Sequence, residues 1–123
     1  MSLTVACTKG LAPGTGPTPV ETKNLTLSVE KSCNDGYTAR VKAYDRDSGA
    51  VWPSSSESWT VRRGDTIRKT IACAADNRIC IGAANDGDNT KGYWGIGINA
   101  FLGCTNCCYS CQNTEAPLYR LTC

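Results

Sequence analysis

The chain has 123 residues, of which 41% are hydrophobic and 20% charged, with nine cysteines and no histidine. This length suits one domain, and the lack of histidine excludes Ser-His-Asp triads, Cys-His proteases and histidine-ligated zinc. Thirteen basic and eleven acidic residues give a net charge of only +2, scattered along the chain, which argues against a nucleic-acid partner. No segment approaches the roughly 18 apolar residues of a transmembrane helix.

The N-terminal segment differs in composition from the rest of the chain. Residues 1–23 are rich in Gly, Pro and Thr and predict an extended tether, followed by a single cysteine-rich β domain at 24–123. We expect Cys7, which lies in the tether, to be the unpaired one of the nine cysteines, with a bridged Cys7 as an alternative. The tetrapeptide Thr4-Val5-Ala6-Cys7 resembles the cleavage site of bacterial lipoproteins, and this resemblance implies a lipid anchor at Cys7 as a further alternative.

Short segments with strand-like patterns follow in chain order. Residues 24–33 and 37–44 alternate apolar and polar side chains, and Asn34-Asp35-Gly36 between them predicts a hairpin turn. No window has a helical period. About eight short antiparallel strands therefore predict an all-β fold, a disulfide-stapled β-sandwich or a small distorted barrel. The remaining strands are expected at 50–52, 58–62, 66–73, 79–83, 93–98 and 118–122, with Arg63-Gly64-Asp65 as an ordinary turn between two of them.

Cysteine is several times more frequent than in an average protein. We predict that eight cysteines form disulfides, which places the protein in an oxidising compartment: secreted, periplasmic or at the cell surface. The densest motif is Cys104-x-x-Cys107-Cys108-x-x-Cys111, in a segment (103–112) that we expect to be a loop. Its four cysteines are expected to bridge to Cys33, Cys73, Cys80 and Cys123. Zinc binding and thiol–disulfide exchange are the alternatives, but abutting CxxC pairs are poorly placed to clamp one ion, and no βαβ context is visible.

One short stretch combines aromatic and polar side chains. In the sequence NDGDNTKGYW, Tyr93 and Trp94 could stack on sugar rings while Asp86, Asp88 and Asn89 hydrogen-bond to hydroxyls. The competing interpretation is that Trp94 is a core residue, since tryptophan in a β-sandwich is usually buried with its N–H satisfied. We expect at least one tryptophan to be exposed, with Trp94 first. The same acidic turn resembles a fragment of a calcium loop, but it lacks the closing acidic ligand, so neither a metal nor a cofactor is predicted.

The functional prediction follows from these exclusions. Without histidine, and with its acidic residues mostly in turns, the chain offers no convincing catalytic constellation, so we do not predict an enzyme. We predict a secreted, non-catalytic binding module that recognises carbohydrate or a cell-surface glycan. The alternatives are a protein-binding inhibitor or effector, with an extracellular protein as its partner, and a structural envelope protein.

Overall fold

A computed structural model describes residues 21–100 and 102–123, so Cys7 and its predicted tether or anchor lie outside the described residues. The described chain is all β, apart from one turn of 3₁₀ helix at Asn89–Lys91. Nowhere in this part of the chain is there a helix with the length and apolarity needed to cross a membrane. The strands are β1 (Thr22–Lys31), β2 (Ala39–Asp45), β3 (Val51–Trp52), β4 (Trp59–Val61), β5 (Thr66–Ala74), β6 (Arg78–Asn85), β7 (Tyr93–Gly95), β8 (Cys108–Ser110), β9 (Thr114–Glu115) and β10 (Tyr119–Leu121).

The strands form two sheets. In the first sheet β1 pairs antiparallel with β5 on one side, while β9 and β10 lie parallel to β1 on the other side. In the second sheet β2 pairs with β6, the short strands β3 and β4 share the outer edge of β2, and β7 and β8 share the outer edge of β6. The predicted β-sandwich is confirmed, with parallel pairing confined to the C-terminal strands.

The main core lies between the two sheets. Alternate residues of β1 point inward, so that Leu25, Leu27 and Val29 are each at most 2% exposed. The second sheet contributes short or β-branched side chains, among them Val41 and Ile81, and burying each large aliphatic side chain contributes about 1.5–3 kcal/mol. Trp52, Trp59 and Trp94 are half-buried and pack against this core.

The two predicted turns connect different sheets. Asn34-Asp35-Gly36 was expected to join a hairpin, but β1 belongs to the first sheet and β2 to the second. Arg63-Gly64-Asp65 likewise leads from β4 in the second sheet to β5 in the first, with Gly64 in the left-handed region at φ +83°. Both segments reverse the chain as expected, but turn residues specify the local reversal and not the strand with which the next segment pairs.

Four disulfides use the eight cysteines that were predicted to pair. Cys73–Cys111 and Cys80–Cys108 join the C-terminal cysteine cluster to the core strands, as expected. The other two pairings differ from the prediction: Cys33 pairs with Cys123, and Cys104 with Cys107. The Cys33–Cys123 bond follows from the parallel pairing of β1 and β10, which brings the ends of the two strands together. Just beyond β1, the Cys33 amide donates to the Leu121 carbonyl at 2.9 Å.

Residues 96–100 and 102–107 follow the edge of β6, and the Gly97 carbonyl oxygen lies against Gly82 on the outer face of the second sheet. The Ile96 amide donates to the Ile81 carbonyl, and the Ile81 amide donates to the Cys107 carbonyl at 2.8 Å. Tyr44 and Cys80 of the sheet form a second, smaller core with Ile96 and Cys107 of this segment. The region predicted as a loop at 103–112 includes strand β8, which pairs with β6.

Candidate functional site

A buried lysine organises one end of the sandwich. Lys31 is at an inner position at the end of β1 and is fully buried. Its ammonium group donates to the Cys33 carbonyl at 3.2 Å, to Oδ1 of Asp35 at 2.6 Å and to the Tyr37 carbonyl at 2.9 Å. These three acceptors match the three donors of an ammonium group, so the buried charge is fully satisfied.

Asp35 links this lysine to the second sheet. Its Oδ2 accepts a 2.7 Å hydrogen bond from the side-chain amide of Asn85, which is 1% exposed. Partial burial raises the pKa of Asp35, but the hydrogen bonds from Lys31, the Tyr37 amide and Asn85 outweigh this effect and lower the pKa to about 2. The same Asn85 nitrogen donates to the Lys91 carbonyl at 2.9 Å. The carboxylate therefore joins the end of β1 to the turn that follows β6.

Three of the predicted ligand-binding residues lie in that turn. Asp88 caps the 3₁₀ helix, since its Oδ1 accepts from the Thr90 amide and hydroxyl. Both hydrogen bonds lower the pKa of Asp88, and the one from the Thr90 hydroxyl has the larger effect. Oδ1 of Asn89 accepts from the Ile98 amide at 2.9 Å, and Asn89 thereby anchors the segment that covers the second sheet. Asp86 differs from both: it is exposed and forms a 3.4 Å ion pair with Lys91.

Tyr93 and Trp94 point to opposite faces of strand β7. Trp94 packs against the main core, and its indole N–H donates to the Thr122 carbonyl at 2.7 Å. The Lys31 ammonium lies 5.8 Å from the centre of its ring. The prediction of an exposed Trp94 is therefore wrong, because the inner face of β7 closes over the buried lysine. Tyr93, on the outer face, is 49% exposed.

The exposed aromatic side chains at this end of the sandwich are tyrosines. Tyr37 is 39% exposed, and the Lys91 ammonium lies 5.9 Å from the centre of its ring. Lys91 also pairs with Asp86, so this lysine links Tyr37 and Asp86, and Tyr93 follows it by two residues in the chain. We call Tyr37, Asp86, Lys91 and Tyr93 the tyrosine surface. It combines two aromatic rings with one carboxylate and one ammonium group.

The structure thus separates the predicted site residues into two groups. Asp88 and Asn89 each use Oδ1, and Trp94 its indole N–H, in hydrogen bonds within the protein, whereas Tyr93 and Asp86 are exposed. Lys31 was not among the predicted site residues. The signal was present, because the alternation that places Leu25 and Val29 on the inner face also places Lys31 there, two residues further on.

A shallow cleft lies elsewhere, on the outer face of the second sheet. It has a volume of about 280 Å³ and contains none of the predicted ligand-binding residues. Tyr44 at its base is 9% exposed, burial raises the pKa of this tyrosine to about 12, and its hydroxyl donates to the Ile98 carbonyl. The cleft is lined by Lys42, Tyr44, Val51, Ser55, Ile98 and Asn99.

Metal-ligating residue types cluster at one place in the described part of the chain. The sulfur atoms of Cys80, Cys107 and Cys108 lie within 4.8 Å of one another. Cys80 is bonded to Cys108, and Cys107 to Cys104. Zinc binds cysteine as thiolate, so this oxidised cluster does not offer the ligands that the ion requires.

Comparison with protein-family models, with curated proteins and with solved structures found no match for this chain.

Proposed function

We propose that the protein is an extracellular, non-catalytic binding domain that recognises carbohydrate through the tyrosine surface. The observation that carries the proposal is the half-exposed ring of Tyr93 on the outer face of β7, two residues along the chain from Lys91, which forms an ion pair with Asp86. The C–H face of a sugar ring packs against an aromatic face, while its hydroxyl groups can donate to a carboxylate and accept from an ammonium group. The surface provides all three kinds of partner.

The scaffold beneath the surface supports this proposal. The network from Lys31 through Asp35 to Asn85 holds the turn after β6 and the strand that carries Tyr93. Groups held by a hydrogen-bonded scaffold lose less conformational entropy when a ligand binds. A shallow surface built in this way suits a ligand with many weak polar contacts.

An extracellular location belongs to the same proposal. Four disulfides in a domain of this size are compatible with an oxidising compartment, where such bonds persist. The lack of histidine supports a binding role over hydrolysis by a triad.

A glycan array followed by calorimetric titration of the best oligosaccharide tests the proposal. We expect Tyr93→Ala to weaken binding by about tenfold or more, because it removes the ring on which the sugar packs. The matched control is Leu118→Ala, which truncates a side chain of similar exposure (42%) beside the first sheet and should leave the affinity unchanged. No binding across a broad array would contradict the proposal, as would unchanged affinity in Tyr93→Ala with an intact fold. Capture of a protein ligand at the same surface would favour the inhibitor or effector alternative.

A further inference from the structure

Two disulfides lie side by side at the edge of a small cleft on the outer face of the second sheet. Sγ of Cys108, which is bonded to Cys80, lies 3.8 Å from Sγ of Cys107 and 4.0 Å from Sγ of Cys104. Cys104 and Cys107 are bonded to each other. We call these four residues the sulfur cluster. The other two disulfides, Cys33–Cys123 and Cys73–Cys111, do not belong to it.

Access to the cluster is one-sided. Cys104 and Cys108 are half-buried and line the cleft, which has a volume of about 150 Å³, whereas Cys107 is only 1% exposed. Residues 103–107 belong to no strand, so little backbone hydrogen bonding resists movement of Cys104. A nucleophile that enters the cleft therefore reaches Cys104 more readily than its buried partner.

Two arginines give the cleft a positive charge. Arg46 and Arg78 both line it, and they are neighbours because the Arg46 amide donates to the Arg78 carbonyl at 2.8 Å. Neither guanidinium forms an ion pair within the described part of the chain; one nitrogen of Arg46 donates to the Ala100 carbonyl. The nearby carboxylate of Asp47 accepts from the Arg78 backbone amide at 2.8 Å. Unpaired guanidinium groups beside a disulfide attract anions and stabilise a departing thiolate.

We propose that this cleft is a thiol–disulfide exchange site for small anionic thiols, and that the sulfur cluster changes its pairing there. The thiolate of the small thiol attacks Sγ of Cys104. A mixed disulfide forms at Cys104, the Cys104–Cys107 bond breaks, and its electron pair leaves with Cys107 as a thiolate.

The Cys107 thiolate has a second disulfide within reach. It attacks Sγ of Cys80, which forms a Cys80–Cys107 bond and releases Cys108 as a thiolate. The Cys108 thiolate then attacks Sγ of Cys104 and expels the small thiol as thiolate. One bond forms and one breaks at each step, so the small thiol is a catalyst and no net oxidation occurs. The product has the pairings Cys80–Cys107 and Cys104–Cys108, built from the same four sulfur atoms.

The first test measures the rate of limited opening of the native protein by three small thiols at equal thiolate concentration: mercaptoethanesulfonate (anionic), 2-mercaptoethanol (neutral) and cysteamine (cationic). We expect the anionic thiol to open the cluster about tenfold faster than the cationic one at low salt, and the difference to shrink at high salt. Arg46→Gln and Arg78→Gln should each reduce the preference. Arg62→Gln, which removes the same charge from an exposed position outside the cleft, should preserve it. Equal rates for all three thiols would overturn the role of the arginines.

The second test locates the new thiols by alkylation and peptide fragmentation, which separates Cys107 from Cys108. We expect each opened molecule to carry the adduct of the small thiol on Cys104 and one free thiol, on Cys107 in some molecules and on Cys108 in others, while Cys73–Cys111 stays oxidised. Free thiol on Cys107 alone would overturn the exchange of partners. Opening of Cys33–Cys123 or Cys73–Cys111 before the cluster would overturn the site itself.

Discussion

The ammonium group of Lys31 lies 2.6 Å from Oδ1 of Asp35, and the lysine is completely buried while the aspartate side chain is 25% exposed. The pair connects the end of β1 to the turn that carries Asp86 and Lys91, because Oδ2 of Asp35 accepts from Asn85. This ion pair thus supports the turn that carries two residues of the tyrosine surface.

Loss of the Asp35 charge should destabilise the fold strongly. Asp35→Asn leaves the Lys31 charge buried without its counter-ion. The new asparagine also has only one side-chain acceptor, so its amide nitrogen faces another donor, the amide of Asn85 or the ammonium of Lys31. We expect a loss of about 3 kcal/mol in the free energy of unfolding, measured by guanidinium titration with the disulfides intact. In a Lys31→Met background the same substitution should cost clearly less. Equal costs in the two backgrounds would show that the two side chains are not coupled.

Stability should decline in acid over a defined range. Because folding lowers the pKa of Asp35 from 3.8 to about 2, this group contributes its stability above pH 4 and loses it as the pH falls towards 2. Asp45 acts in the same direction: burial raises its pKa, but hydrogen bonds from Asn77 and from backbone amides outweigh this and lower it. Unfolding titrations between pH 5 and pH 2 should show a shallower decline in Asp35→Asn, and an unchanged decline would contradict this assignment.

The outer face of the second sheet should not tolerate a methyl group at Gly82. A Cβ there would collide with the Gly97 carbonyl oxygen and lie 3.0 Å from a ring carbon of Tyr44. Gly82→Ala should therefore cost about 1–3 kcal/mol, measured as the change in unfolding free energy. Gly103→Ala is the control, because nothing lies within 4 Å of its added Cβ. If both variants are equally stable, Gly97 does not lie against β6.

Trp94 should matter for stability rather than for binding. Trp94→Phe keeps an aromatic ring against the core but removes the hydrogen bond to the Thr122 carbonyl. We expect a loss of about 1 kcal/mol in stability and unchanged affinity for the oligosaccharide that Tyr93 binds. A stable Trp94→Phe protein that no longer binds would place the indole in the site instead.

Local patterns in the sequence predicted the strands well and their partners poorly. The alternation of Leu25, Leu27 and Val29 identifies β1 and its inner face, because side-chain period is a local property. The pairing of β1 with β10 is not encoded locally, since these strands lie about 90 residues apart and run parallel. The Cys33–Cys123 bond depends on that pairing and could not be predicted without it.

The candidate site shows the same division. Composition identified Tyr93 and Asp86, which remain exposed. Whether Asp88, Asn89 and Trp94 are available to a ligand depends on the groups that the fold brings near them. Asp88 accepts from the 3₁₀ turn, Asn89 accepts from the Ile98 amide, and Trp94 donates to the Thr122 carbonyl. A turn rich in Asp and Asn has the same composition whether its side chains satisfy the protein's own backbone or face a ligand.

Chemical-shift mapping with an isotope-labelled protein and the best oligosaccharide from the array shows where on the protein the ligand binds. If the tyrosine surface binds carbohydrate, the largest amide shifts fall at Tyr37, Asp86, Lys91 and Tyr93, with small changes around Lys42, Tyr44 and Asn99. Shifts concentrated at the cleft formed by those last residues, or no shifts at saturating oligosaccharide, would contradict carbohydrate binding at the tyrosine surface.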